Sequence, residues 1–137
     1  MIAKIAVSAA NFAIDKPYSY RIPEDMALRP GQRVQLPFGR GNTRTEGVVL
    51  SVEAGDESKL KAVERVLDEE PVLTEKQLRL AAFLRKRYFC TFYDAIHTML
   101  PAGLWFQSRQ RFSLTEDRSW KDKTIRKDGA LAVLQLL

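Results

Sequence analysis

The residues best placed for chemistry lie in RVQLPFGRGNTRTEGVVLSV, residues 33–52, where two β-prone runs flank a loop. The loop carries Arg40 and Arg44, with Gly39 and Gly41 beside Arg40 and no acidic residue before Glu46. A loop of this kind presents cations and main-chain N–H groups from a rigid base, which suits a phosphate-rich partner. A hairpin with a charged, solvated tip has the same composition, so both readings stand at this point. The glycines do not make a nucleotide-hydrolase phosphate loop, because no lysine-serine or lysine-threonine ending and no helix-forming run follows them.

Other reactive side chains are scattered. Asp15 and Asp94 have no common pocket assigned by the sequence, and His97 falls in a helix-like run as a core or surface residue. Cys90 is the single cysteine, so no intramolecular disulfide forms, and Cys90 with His97 is too small a set for structural zinc. In RYFCTFY the thiol reads as packing. No catalytic constellation emerges.

The elements that must position the loop arginines follow from periodicity. Ile2 to Val7 reads as a strand, Asn11 to Pro17 as a loop, and Tyr18 to Ile22 as a second strand. The two-residue period puts Tyr18, Tyr20 and Ile22 on one face, with Ser19 and Arg21 on the other. A turn at Leu28 to Gly31 precedes a strand from Arg33 to Phe38, and Val48 to Val52 returns. Pro37 donates no hydrogen bond and must sit at an edge or near a strand end. Residues 55–61 read as a polar loop, and Ala62 to Leu67 as a further strand. Thr74 caps a helix of about Thr74 to Phe89, with Gln77 completing a capping box, and a shorter helix covers Phe92 to Met99. The fold class is α+β: a small curved β-sheet or an oligonucleotide-binding-like barrel, with C-terminal helices.

Composition allows one domain and part of another. The 137 residues are 45% hydrophobic, enough for a core, and carry 22 Lys and Arg against 17 Asp and Glu. The positive excess lies late: residues 1–70 hold 10 basic and 11 acidic side chains, and residues 71–137 hold 12 and 6. That balance permits a polyanion without requiring one. No apolar run approaches a membrane span, and the N-terminus reads as a strand rather than a signal peptide, so a cytoplasmic protein without a membrane partner is expected. Beyond Ser108 a charged, interrupted stretch runs to Trp120, perceived as strand and linker. Arg126 to Leu137 begins like a core helix and stops without a cap, as if the chain ended inside another module; an oligomer-forming tail is the competing reading.

Read together, PYSYRIP, RPGQRVQLPFGRG, EGVVLSV, LKAV, LTEKQLRLAAFLRKRY and MLPAGL resemble, in order and spacing, the N-terminal region of the bacterial primosomal replication-restart helicase family. The resemblance covers residues 1–104 and implies a 3′ DNA-binding domain; residues 105–137 are similar to a linker and the truncated start of a winged-helix-like region. It implies recognition of the 3′ end of the nascent leading strand at stalled or recombination-derived forks. The family surrounds the terminal nucleotide with an aromatic-acidic-aromatic segment, here Tyr18-Ser19-Tyr20, so Ser19 stands where aspartate is usual and offers one neutral hydrogen bond. Gly39 matches a backbone contact of that pocket and Lys61 a basic one. Tyr18, Ser19, Gly39, Arg40, Arg44 and Lys61 are therefore the expected DNA contacts. The parent is implied to be an ATP-dependent 3′-to-5′ DNA helicase using ATP, Mg and Zn outside this chain; no cofactor and no catalysis are expected of this part. Implied partners are forked DNA, the rest of the parent, single-stranded DNA-binding protein and primosome proteins. A non-enzymatic protein-docking domain within a replication assembly is the alternative.

Overall fold

Alternating apolar residues pair into one sheet. The computed structural model describes residues 1–104, with strands β1 (Ile2–Val7), β2 (Tyr18–Arg21), β3 (Arg33–Phe38), β4 (Thr43–Glu53) and β5 (Arg65–Val66). All pairings are antiparallel and the order is β2-β1-β4-β3-β5. The readings for residues 105–137 lie outside the described residues.

The sheet curves without closing into a barrel. Its edges meet at one bridge, where the Arg21 N–H donates to the Lys61 carbonyl at 2.8 Å and the Val63 N–H donates to the Arg21 carbonyl at 3.1 Å. Of the two predicted forms, the chain adopts the open, curved sheet. The expected strand from Ala62 to Leu67 is correspondingly reduced. Ala62 bridges β2, and only Arg65 and Val66 ladder with β3, because the segment crosses from one sheet edge to the other. Pro37 sits where β3 has no β5 partner, consistent with its missing donor.

Two cores form on the two faces. Ala3, Ile5, Val7, Tyr20, Val34, Leu36 and Val49 pack inside the curve, joined by Val63. Ala6 and Val48, one residue out of phase, pack with Leu73, Leu78, Ala81, Ala95, Ile96 and Leu100. Strict alternation along β4 would separate Val49 from Val52. A register shift between Lys4 and Ile5 leaves Leu50 as the extra residue, so Val49 opposes Ile5 and Val52 opposes Ala3 on one face.

The outer core is completed by helix α1 (Glu75–Arg87) and helix α2 (Phe92–His97). Thr74 and Gln77 form the predicted capping box, and Thr91 with Asp94 forms a second one. Helix α1 stops before the expected Phe89 because Tyr88 is already extended. Asp15 and Asp94 both have structural places. Asp94 caps α2, while buried Asp15 pairs with Arg85 and accepts from the Phe92 N–H at 3.1 Å.

Among the described residues Arg33 is the most buried cation, its side chain 5% exposed. Its Nε and Nη2 donate to Asp68 at 2.9 and 2.6 Å, and its main-chain N–H donates to the same carboxylate at 3.0 Å. Its Nη1 donates to the Leu104 carbonyl and lies 3.6 Å from Glu46 Oε1, near enough for attraction but too far for a hydrogen bond. Gly31 allows the chain to turn into β3: its φ is +90°, and a Cβ there would meet the Leu73 carbonyl oxygen at 2.1 Å.

Burial raises the Glu46 carboxyl pKa above its ordinary value, against the pull of Arg33 and a hydrogen bond from Tyr93. Folding thus favours protonated Glu46. This contribution is complete below the ordinary carboxylate pKa and is lost as pH rises through the folded value. Glu46→Gln should flatten that part of the stability profile and match or exceed the native urea midpoint at pH 7. Asp68→Ala, which leaves the Arg33 charge buried without its main partner, should cost about 3–5 kcal/mol. Urea titrations from pH 4 to 8 check both; a loss at Glu46 comparable to that at Asp68 would contradict the assignment.

Candidate nucleic-acid interface

The exposed side of β2 is decided by main-chain alternation. Arg21 turns its N–H and C=O outward to residues 61–63, while the Ile22 N–H turns inward to Met1. Two residues back along the strand, Ser19 also turns outward, and its N–H and C=O face the gap left where residues 59–61 diverge. Tyr18 and Tyr20 instead ladder with β1, opposite Ile5 and Ala3, and their side chains join the inner core.

Both tyrosines are held in place. The Tyr20 hydroxyl donates to the Pro37 carbonyl at 3.0 Å, and burial pushes its pKa up to about 12. The Tyr18 hydroxyl donates to the Ile14 carbonyl at 2.6 Å, and its ring meets Phe38 edge-on with centroids 5.1 Å apart. Lys16 stands 5.6 Å from the centre of the Tyr18 ring.

The facing wall comes from the turn between β3 and β4. Gly39 has φ +68° and Asn42 φ 50°, which closes the turn in four residues. A Cβ on Gly39 would meet nothing within 4 Å, so conformation rather than crowding calls for glycine here. Lys61 Nζ donates to the Gly39 carbonyl at 2.6 Å and ties the turn to the diverging segment. Between these elements opens a cavity of about 340 Å³. Tyr18, Ser19, Tyr20 and Phe38 line it together with Gly39, Lys59, Leu60 and Lys61.

Four of the six expected contacts thus converge: Tyr18, Ser19, Gly39 and Lys61. Arg40 and Arg44 do not line the cavity. Arg40 is exposed on the turn, whereas Arg44 is the second residue of β4 rather than part of the loop, because pairing already begins at Phe38 and Thr43. Arg44 also pairs with Glu64 at 3.1 Å, which offsets its charge. The Ser19 hydroxyl accepts from Lys4 Nζ at 2.8 Å on the opposite sheet face, so the main chain is the part of Ser19 that meets the cavity. Phe38, Lys59 and Leu60 were missed. Phe38 shares the alternating face of Val34 and Leu36, a signal that was legible; Lys59 and Leu60 sit in a polar loop with none.

The cavity offers aromatic surface for a base and ammonium groups for phosphate, in a volume near the lower end of about 300–1,000 Å³ for small-ligand sites. Among the described residues no cluster of three or more His, Cys, Asp or Glu could hold a metal ion. Together, the curved sheet and its rim cavity have the form of a small nucleic-acid-binding β domain. The family model of the PriA 3′DNA-binding domain (3′BD) matches residues 4–101, and the chain belongs to this family. The Replication restart protein PriA of Bacillus subtilis (strain 168) is 36% identical over an alignment of 107 residues, which covers 74% of this chain and 13% of that protein. The chain therefore spans only a small part of the curated relative's length. The matched span is a DNA-binding module, whose role is binding rather than catalysis.

A phosphate contact by Lys61 has a salt signature. Lys61→Gln should make the plot of log affinity against log salt for single-stranded DNA shallower by about 0.7. Anisotropy titrations at several salt concentrations measure this, with circular dichroism to confirm the fold; an unchanged slope would remove Lys61 from the phosphate contacts.

Proposed function

We propose that this domain holds the 3′-terminal nucleotide of the nascent leading strand at stalled or recombination-derived forks, as part of a replication-restart helicase. The convergence of Tyr18, Gly39, Lys61 and the Ser19 main chain on one cavity supports this reading most directly. Tyr18 and Phe38 receive the base, Lys61 and Lys59 receive phosphate oxygens, and Arg40 stands beside the turn for the flanking strand. Arg44 contributes only if DNA displaces Glu64. The parent protein is then an ATP-dependent 3′-to-5′ DNA helicase, with ATP, Mg and Zn bound outside this chain. It works in the cytoplasm with single-stranded DNA-binding protein and primosome proteins. Among the described residues, no helix is long and apolar enough to cross a membrane.

The test compares a fork whose leading strand ends freely at the branch with the same fork carrying a hairpin-capped end. Losing one stacked base, about 1–3 kcal/mol, should weaken the capped fork by about five- to 150-fold. Equal affinities at physiological salt would overturn end recognition.

One observation favours a second role, docking onto the rest of the parent. Phe83, Tyr88 and Phe89 are 58%, 61% and 86% exposed around the end of α1, and the relative is many times longer than the matched segment. Large exposed aromatics of this kind mark contact surfaces. Calorimetry with the separately expressed remainder of the parent should show binding that Phe83→Ser with Phe89→Ser weakens. An interaction indifferent to both would place docking elsewhere.

A further inference from the structure

Outside the cavity, two exposed aromatic rings stand against each other. Phe89, almost fully exposed, stacks on half-exposed Phe12 with ring centroids 3.9 Å apart and planes inclined by 28°. Phe12 belongs to the connection between β1 and β2, and Phe89 to the one between α1 and α2. Asn11 Oδ1 accepts from the Ile14 N–H at 3.3 Å and closes the short 3₁₀ turn that carries Phe12. Beside the rings lies a groove of about 400 Å³ whose lining includes Ser8, Asn11, Cys90 and Asp94.

The β1–β2 connection leads from this ring pair to the cavity. The Tyr18 hydroxyl, in the cavity lining, donates to the Ile14 carbonyl at 2.6 Å, and Lys16 stands 5.6 Å from the centre of the Tyr18 ring. From Phe12 to Tyr18 the chain spans at most about 22 Å, even fully extended. Phe12, Ile14 and Lys16 are all exposed along it. Lys86 and Arg87, at the end of α1, are exposed and make no ion pair among the described residues. The neighbouring carboxylates are engaged: Asp15 is buried against Arg85, and Asp94 accepts from the Thr91 N–H and hydroxyl.

Exposed rings flanked by such cations fit a single strand, whose bases stack while its phosphates meet the positive groups. A protein contact centred here would have to bury lysine, in which interface cores are depleted. The Asp94 charge repels phosphate from the groove, so the groove suits a base. We propose that the nucleotides preceding the strand's 3′ end cross the β1–β2 connection and stack a base on Phe89, with phosphates at Lys16, Lys86 and Arg87. This rests on the end-binding role proposed above and names where the strand runs next. Phe83, further back on α1, is left to docking.

The experiment uses the full chain and labelled single-stranded DNA: a trinucleotide that fills the cavity alone, and a longer oligonucleotide in linear and covalently circular forms. In anisotropy titrations at physiological salt, Phe89→Ala should weaken the linear oligonucleotide about five- to 150-fold, the loss of one stacked base. The trinucleotide should bind that variant as it binds the native chain, which also shows that the fold is kept. Lys86→Gln should lower the salt slope of the longer strand by about 0.7 and leave that of the trinucleotide alone. A linear oligonucleotide indifferent to Phe89→Ala overturns this proposal and leaves end recognition standing. If docking to the rest of the parent weakens in that same variant, the ring belongs to the protein contact instead. A circle that binds the native chain as well as the linear strand defeats end recognition, and with it a path anchored in the cavity.

Discussion

One buried charge ties together chain segments that are remote in sequence. Arg33 begins β3, yet its guanidinium reaches Asp68 beyond β5, stands near Glu46 on β4, and donates to the Leu104 carbonyl after the last helix. Hydrogen bonding to Asp68 raises its pKa further, so it remains charged. A buried charge left without partners would cost several kcal/mol, which ties the chain to the arrangement that supplies them. Asp15 acts similarly at the other end, joining the loop before β2 to α1 and α2 through Arg85 and the Phe92 N–H. These two ion pairs set where the helices lie on the sheet, while apolar packing provides most of the area buried.

The cavity is a consequence of incomplete closure. A full barrel would pair β2 with the strand entering β5 and leave no free edge. Here a single bridge at Arg21 and Ala62 holds the edges together, then the segment diverges, exposing the Ser19 main chain and opening space beneath Phe38. The Lys61 bond to the Gly39 carbonyl spans the opening and sets its width. A ligand that enters meets a surface fixed largely beforehand, since both tyrosine hydroxyls are already hydrogen-bonded and Tyr18 is braced by Phe38.

Much of this was legible in the residues. The period of two in IAKIAV, YSYRI and RVQLPF announced strands, and Thr74 with Gln77 announced a helix start, because side-chain direction and capping are local properties. The resemblance to the replication-restart helicase family singled out Tyr18, Ser19, Gly39 and Lys61, which lie up to 43 residues apart, from Tyr18 to Lys61, and share one cavity. Arg44 was misplaced by reading a glycine-rich stretch as all loop, whereas β4 begins at Thr43. Leu50 gave no sign of its bulge, since an extra residue in a valine-rich run looks like any other apolar position.

The sequence by itself determined the strands β1, β2 and β3, the Thr74 helix cap, the family and the aromatic and basic residue types available for a strand end. Each depends on neighbours within a few positions or on an ordered set of motifs. Only the tertiary structure decided which atoms face the cavity. It turned the Ser19 hydroxyl to Lys4 and its main chain to the open edge, paired Arg44 with Glu64, and brought Lys59 to the rim. The reason is that strand pairing assigns main-chain direction and face together, and pairing is settled between segments remote in sequence.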